Sequence, residues 1–321
     1  MNPVVVCRLP NHVGDCCMTL PALRLLEASG FTPYLVGKRF AEDLMLGMGW
    51  RFDPIEGHVS EDLSRLHYLC KQLNSPLGLL FPNSFGSALQ FRLAGIRSAG
   101  FPTDGRSLLL DKKVPEPEKN IHEVERFFRV AHGAIKAWGK TPAWDEPSKD
   151  LGLKLITRHT AGAKNLKEKF NIPEKFALIA PIARGIHNGK IKHWTHINSV
   201  VKPLRDLGIE PIVLPSPDEA EDAKVACPDA THLPPTNLGT YAALCKDAQV
   251  VIANDSGISH VAAAVGILAV PLGEAGEEGH AVRAVPGLGI RMLLCLVRKM
   301  NGLLKSKLLL VSTKLCNSHV Q

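Results

Sequence analysis

Short runs that are apolar at every position, each followed by a longer segment with helical spacing, constrain this chain more than any other feature. "VVVC" (4–7) leads into "MTLPALRLLEAS" (18–29), which Gly30 would end. "TPYLVG" (32–37) and "LGLLFP" (77–82) are further runs of this kind, the latter ahead of "SALQFRLAG" (87–95). Strands that are apolar throughout, not at alternate positions, are buried on both faces and belong to parallel sheets covered by helices. The alternation of strand and helix predicts βαβ units.

The pattern pauses and then restarts. Residues 104–120 are rich in turn formers, "IHEVERFFRVAHGAIKAWG" (121–139) is an amphipathic helix, and "KTPAWDEPSKD" (140–150) gathers proline and charge without periodicity, as a surface connection at a domain boundary does. Beyond it come a strand in "KFALIAPIA" (175–183), a helix with an internal proline in "WTHINSVVKPLRDLG" (194–208), a strand in "IEPIVLPS" (209–216) and a helix in "NLGTYAALCKDA" (237–248). "QVVIAND" (249–255) reads as a buried strand opening into "SGISHVAAAVG" (256–266), and "ILAVPLG" (267–273) closes the series. At 321 residues the chain has room for two such cores. The expected architecture is α/β, with two Rossmann-like lobes and a cleft between them. The expected domains are residues 1–150, 151–288 and a basic tail, 289–321.

Composition removes several function classes. Hydrophobic residues make up 45% and charged residues 21%, the profile of a globular chain. The net charge is +7, but six basic residues and no acid lie in 289–321, and subtracting those six leaves +1. A general nucleic-acid surface is therefore not expected. The eight cysteines show neither CxxC pairs nor Cys/His metal spacing, so buried reduced thiols are expected and a zinc site is not. "MNPVVVCRLP" lacks the basic segment and long apolar core of a secretory leader, and no apolar run approaches the roughly 18 residues that cross a bilayer. The expected compartment is the cytoplasm.

In open α/β sheets ligands bind beyond the carboxyl ends of the strands. "LPNHVGD", "FPNSFGS", "PIARGIHNGKIKHW" and "NDSGISH" occupy such positions. In the first, Asp15 either caps the following helix or does chemistry, and position alone leaves both open. In the last, Asp255, Ser256 and Gly257 open a helix whose N–H groups and dipole suit an anion, with His260 in the first turn; a plain Asp/Ser cap is the alternative. Lys192 and Arg184 could meet a diphosphate, and Glu219 and Glu221 could accept ribose hydroxyls or serve as ordinary first-turn acids. Neither GxGxxG after a strand nor GxxxxGK[ST] is present, nor the Asp-x-Asp of a metal-bridged sugar nucleotide.

Together "RLPNHVGDCCMTLPALRLL", "NSFGSALQFRLAGI…AGF", "KHW" and "NDSGISHVAAAVG" resemble the lipopolysaccharide heptosyltransferases of glycosyltransferase family 9, over about residues 4–275. The resemblance implies a GT-B fold and inverting, metal-independent transfer of heptose from ADP-heptose to the inner core of lipopolysaccharide, a Kdo- and lipid A-linked oligosaccharide, at the cytoplasmic face of the inner membrane. It carries the role of catalytic base onto Asp15. The acceptor would meet Asn11, Gly14, Asn83 and Ser84. The donor would meet Arg184, Lys192, Glu219, Asp255, Ser256, Gly257 and His260, with no cofactor or metal. After "AVPLGE" the family's "GPTDP"-like loop is replaced by "EAGEEGHAVRAVPGLGIRMLL", and the basic tail is either a membrane-surface helix, a helix covering a lobe or a product of altered translation. A catalytically impaired binding protein of this fold and a sugar-nucleotide epimerase are the alternatives.

Overall fold

The computed structural model describes residues 2–118, 121–183, 186–187, 190–191, 195–254 and 256–272. The chain divides into a first compact unit ending at Lys154 and a second beginning at Leu155.

The first unit carries strands β1 (Val4–Arg8), β2 (Thr32–Gly37), β3 (Arg51–Pro54), β4 (Leu77–Leu80), β5 (Arg97–Gly100) and β6 (Lys112–Lys113). Every pairing is parallel and the order across the sheet is β3-β2-β1-β4-β5-β6, the Rossmann arrangement. Its helices are α1 (Val13–Met18), α2 (Leu20–Ala28), α3 (Phe40–Met45), α4 (Val59–Gln72), α5 (Phe85–Leu93) and α6 (Glu123–Ala137). Val6, Val36 and Leu80 bury one sheet face against Leu66 and Leu69 of α4 and Phe91 of α5. Alternate strand residues such as Val5, Cys7 and Leu35 are equally buried, as a sheet covered on both faces requires. Gly78 lets α5 approach β4: a Cβ there would stand 2.7 Å from Ile96 Cγ2 and 3.0 Å from Phe91 Cδ1.

The second unit contains α7 (Thr157–Lys169), β7 (Phe176–Ala180), a short antiparallel pair β8 (Ile186–His187) and β9 (Lys190–Ile191), α8 (Val201–Asp206), β10 (Glu210–Val213), α9 (Ala220–Ala226), β11 (Thr231–His232), α10 (Leu238–Asp247), β12 (Val250–Asn254), α11 (Gly257–Ala264) and β13 (Ala269–Leu272). The parallel sheet runs β11-β10-β7-β12-β13, repeating the order of the first five strands of unit one. Ile179, Val213 and Ile252 pack with Val200, Leu204 and Ala223 from the α8 and α9 side. Both sheets are therefore the parallel, helix-covered α/β layers that the apolar runs predict.

Some boundaries differ from expectation. The helix expected at 18–29 begins at Val13 and breaks at Thr19 into α1 and α2, because Pro21 has no N–H to give the Cys17 carbonyl. Pro203 acts likewise: the expected helix at 194–208 is a 3₁₀ turn at Ile197–Val200 followed by α8. β3, α3, α4, β5 and α7 carry no strong local pattern and were not expected. Among the described residues no helix is long and apolar enough to cross a membrane.

Candidate functional site

In a sheet ordered this way the chain leaves β1 to one side and β4 to the other, opening a crevice at the carboxyl ends of those two strands. The loops there are "LPNH" after β1 and "FPNS" after β4, two of the segments singled out by sequence. The Phe81 N–H donates to the Arg8 carbonyl at 3.2 Å, so the loops leave the sheet side by side.

Asp15 is the third residue of α1, and His12 occupies the cap position without a side-chain capping bond. Asp15 therefore does not cap the helix. Its side chain is 35% exposed, with His12 Nδ1 3.4 Å from Oδ2. His12 itself is 84% exposed, and an ion pair so placed contributes little. The neighbouring Cys16 donates to the Pro10 carbonyl at 3.2 Å. Burial, then Cys17 and then Asp15 push its thiol well above the ordinary value, with Arg8 opposing. Cys16 therefore stays protonated near neutral pH. Gly14 lies buried in the first turn of α1.

Two buried arginines organise these loops, and sequence reasoning missed both. Arg8 donates to the Leu9 carbonyl and, through Nη2 at 2.8 Å, to Asn11 Oδ1. Arg106, 0% exposed, donates from Nε to the Phe101 carbonyl at 2.8 Å, from Nη1 to the Pro82 carbonyl and from Nη2 to Asn83 Oδ1 at 3.0 Å. Burial pushes the Arg106 guanidinium down to about 10, which leaves it charged at neutral pH. Arg8 had one visible signal, a cation ending a buried strand; Arg106, in a turn-rich segment, had none. Ser84 caps α5, accepting the Ser87 N–H at 3.4 Å and donating to Ser87 Oγ at 3.0 Å.

The second unit repeats the device. Asn254, fully buried at the end of β12, donates from its side chain to the Pro181 carbonyl just after β7, tying together the two loops at this sheet's own switch point. Ser256 occupies the cap of α11 but makes no side-chain cap bond; its hydroxyl is buried with no partner among the described residues. Ser259 Oγ donates to the Ser256 carbonyl at 2.8 Å instead. Gly257 opens the helix and His260 completes its first turn. Glu219 lies beyond β10, one strand further along, and its carboxylate accepts the Ser216 hydroxyl at 2.7 Å. Glu221 pairs with Lys224 at 2.8 Å in the manner of an ordinary first-turn acid. Arg184, Lys192, Asp255 and the tail 289–321 lie outside the described residues.

The model of glycosyltransferase family 9 (heptosyltransferase) matches residues 67–272. Among solved structures, ADP-heptose lipopolysaccharide heptosyltransferase II of Escherichia coli is similar with a TM-score of 0.69 at 21% identity, covering 92% of this chain and 99% of its own. A family 9 glycosyltransferase of Veillonella parvula has a TM-score of 0.71 at 15% identity, covering 85% of this chain and 82% of its own. The E. coli heptosyltransferase WaaC, solved with ADP-2-deoxy-2-fluoro heptose, has a TM-score of 0.64 at 19% identity, covering 89% of this chain and 94% of its own. These likenesses show the fold, that of the GT-B heptosyltransferases. No curated protein sequence matches the chain.

Proposed function

The chain belongs to glycosyltransferase family 9, and from that premise we propose that it transfers heptose from ADP-heptose to the inner core of lipopolysaccharide, with inversion and without a metal. Asp15 would accept the proton of the acceptor hydroxyl as its oxygen bonds to C1 of the heptose. The bond from C1 to the diphosphate oxygen breaks in the same displacement, and ADP leaves with the electron pair. One displacement inverts the anomeric centre and needs one carboxylate base.

Loss of ADP concentrates charge on the diphosphate. Preorganised donors must balance it where no metal does. The start of α11, with Gly257, Ser256 and His260, supports that role, because aligned backbone N–H groups and the helix dipole favour an anion. Lys192, Arg184 and Asp255 complete the proposed donor set, with Glu219 toward the ribose. Asn11, Gly14, Asn83 and Ser84 are assigned to the acceptor. A lipid-linked acceptor would place the reaction at the cytoplasmic face of the inner membrane.

The observation that carries this reading is Asp15: a partly exposed carboxylate, free of capping duty, where β1 opens into α1 at the switch point of the first sheet. The test is ADP release from ADP-heptose with a Kdo- or heptose-bearing lipid acceptor, run in the presence of a chelator. Asp15→Asn is expected to lower kcat about 10²- to 10⁴-fold, the usual worth of a general base, while calorimetry shows unchanged ADP binding. A variant with near-normal turnover would falsify the base assignment. Wild-type protein that binds ADP but transfers nothing in an acceptor panel would be a binding protein instead.

A further inference from the structure

Asn11 and Asn83 sit on the two switch-point loops of the first unit, and each gives its Oδ1 to a buried guanidinium. A guanidinium carries N–H donors and no acceptor, whereas a carboxamide has one oxygen and one –NH₂. The oxygen must therefore face the arginine, and both amide N–H groups point away from it. Neither arginine is free to follow a turning amide. Arg106 is held at the same time by the Phe101 and Pro82 carbonyls, and Arg8 by the Leu9 carbonyl.

Burying a guanidinium costs free energy; the charges of Asp62 near Arg8 and Asp104 near Arg106 offset part of it, although among the described residues neither arginine forms a close ion pair. Apart from the unpartnered Arg8 Nε, the hydrogen bonds they donate go to carbonyl and carboxamide oxygens, which is the arrangement of a side-chain scaffold. Asn11 is exposed and Asn83 half-buried, so the outward –NH₂ groups are within reach of a ligand.

We propose that Arg8 and Arg106 are positioning residues for the sugar acceptor, holding Asn11 and Asn83 as an outward-facing pair of amide donors on the loops flanking Asp15. The pair would recognise a saccharide through atoms that only accept or can accept, the carboxylate and hydroxyl oxygens of an acidic sugar. This rests on the heptosyl-transfer reading above.

Asn83→Asp and Asn11→Asp separate the two halves of the idea. Each keeps an oxygen for its arginine, gaining an ion pair, and replaces the –NH₂ with a second oxygen. Steady-state kinetics are read with ADP-heptose and deacylated Kdo-bearing lipid A, varying each substrate in turn. Each aspartate variant is expected to melt at or above the wild-type temperature, to raise the acceptor KM about tenfold or more and to leave the donor KM within about twofold. If an aspartate variant loses its melting transition, the serine variant at that site, which also lacks the –NH₂, carries the same expectation. An aspartate variant with wild-type acceptor KM, beside an alanine variant that is impaired, would mean that the asparagine serves only to satisfy its arginine, and would overturn the proposal. Wild-type protein that turns over normally while both aspartate variants match it sinks this inference alone; wild-type protein that transfers nothing sinks the reading beneath it as well.

Discussion

The availability of Asp15 depends on a displacement of three residues. Had the helix begun at Cys16 the Asp15 carboxylate would have been placed to cap it; because α1 begins at Val13, the carboxylate stands in the first turn with its oxygens uncommitted to capping. The cysteines show the reverse case, side chains whose burial silences them. Burial, with Asp229 adding, pushes the Cys227 thiol from 9.0 up to about 11. Between those values the unfolded chain has lost a proton that the folded chain keeps, so stability falls as pH rises. The contribution is complete below about pH 9 and gone above about pH 11. Urea midpoints at pH 8 and about pH 10.5 should therefore converge between wild type and Cys227→Ala as alkali erodes the wild type. Parallel midpoints at both pH values would show that the thiol titrates alike folded and unfolded. The buried character of Cys16 was readable from its place in "VGDCC"; that Asp15 does not cap the helix was not, nor was the orientation of the Asn11 amide, which Arg8 sets.

Among elements, local chemistry and tertiary packing divide the work visibly. Asn237 caps α10, its Oδ1 accepting the Thr240 N–H at 2.8 Å, and the signal lies in "NLGT" itself. Asn237→Ala should cost about 1 kcal/mol, read as a lowered melting or urea midpoint. A variant with an unchanged midpoint would mean that water replaces the cap without loss. By contrast α7 has only two buried positions, His159 and Ala163, and a glycine in its middle. No apolar stripe announces it. It is held by close packing on α10: a Cβ on Gly162 would stand 2.7 Å from Thr240 Oγ1, and one on Gly239 would stand 2.3 Å from His159 Nε2. Those contacts join residues about 80 positions apart, beyond the range of any local pattern.

At the scale of the whole molecule the same strand order occurs twice, and each unit has its own switch point with its own hydrogen bond across it, Phe81 N–H to the Arg8 carbonyl in the first and Asn254 to the Pro181 carbonyl in the second. The proposed division of labour assigns nucleotide to the second unit and acceptor to the first. Hydrogen exchange with ADP near 100 times its Kd tests that division, since binding then adds about 2.7 kcal/mol to any opening that releases the ligand. Slowed exchange is expected across 250–264 and not across 4–18. Protection of the β1–α1 segment instead would reverse the assignment.

The sequence by itself determined the strands as buried, the sheets as parallel and the positions of the strand-to-helix loops, since periodicity and strand-to-helix junctions are local properties. It also carried the order of motifs that marks the family. Only the tertiary structure decided which loops are neighbours. β1 lies beside β4 because the chain first builds β2 and β3 on the other side, and that places Asn83 next to a loop some 70 residues earlier. Arg106 then reaches back to Asn83 and Pro82 from a turn that has no periodicity of its own. Arg106 has no sequence signature, because two of its three partners are backbone carbonyls, which every residue possesses, and only the fold brings them and Asn83 within reach.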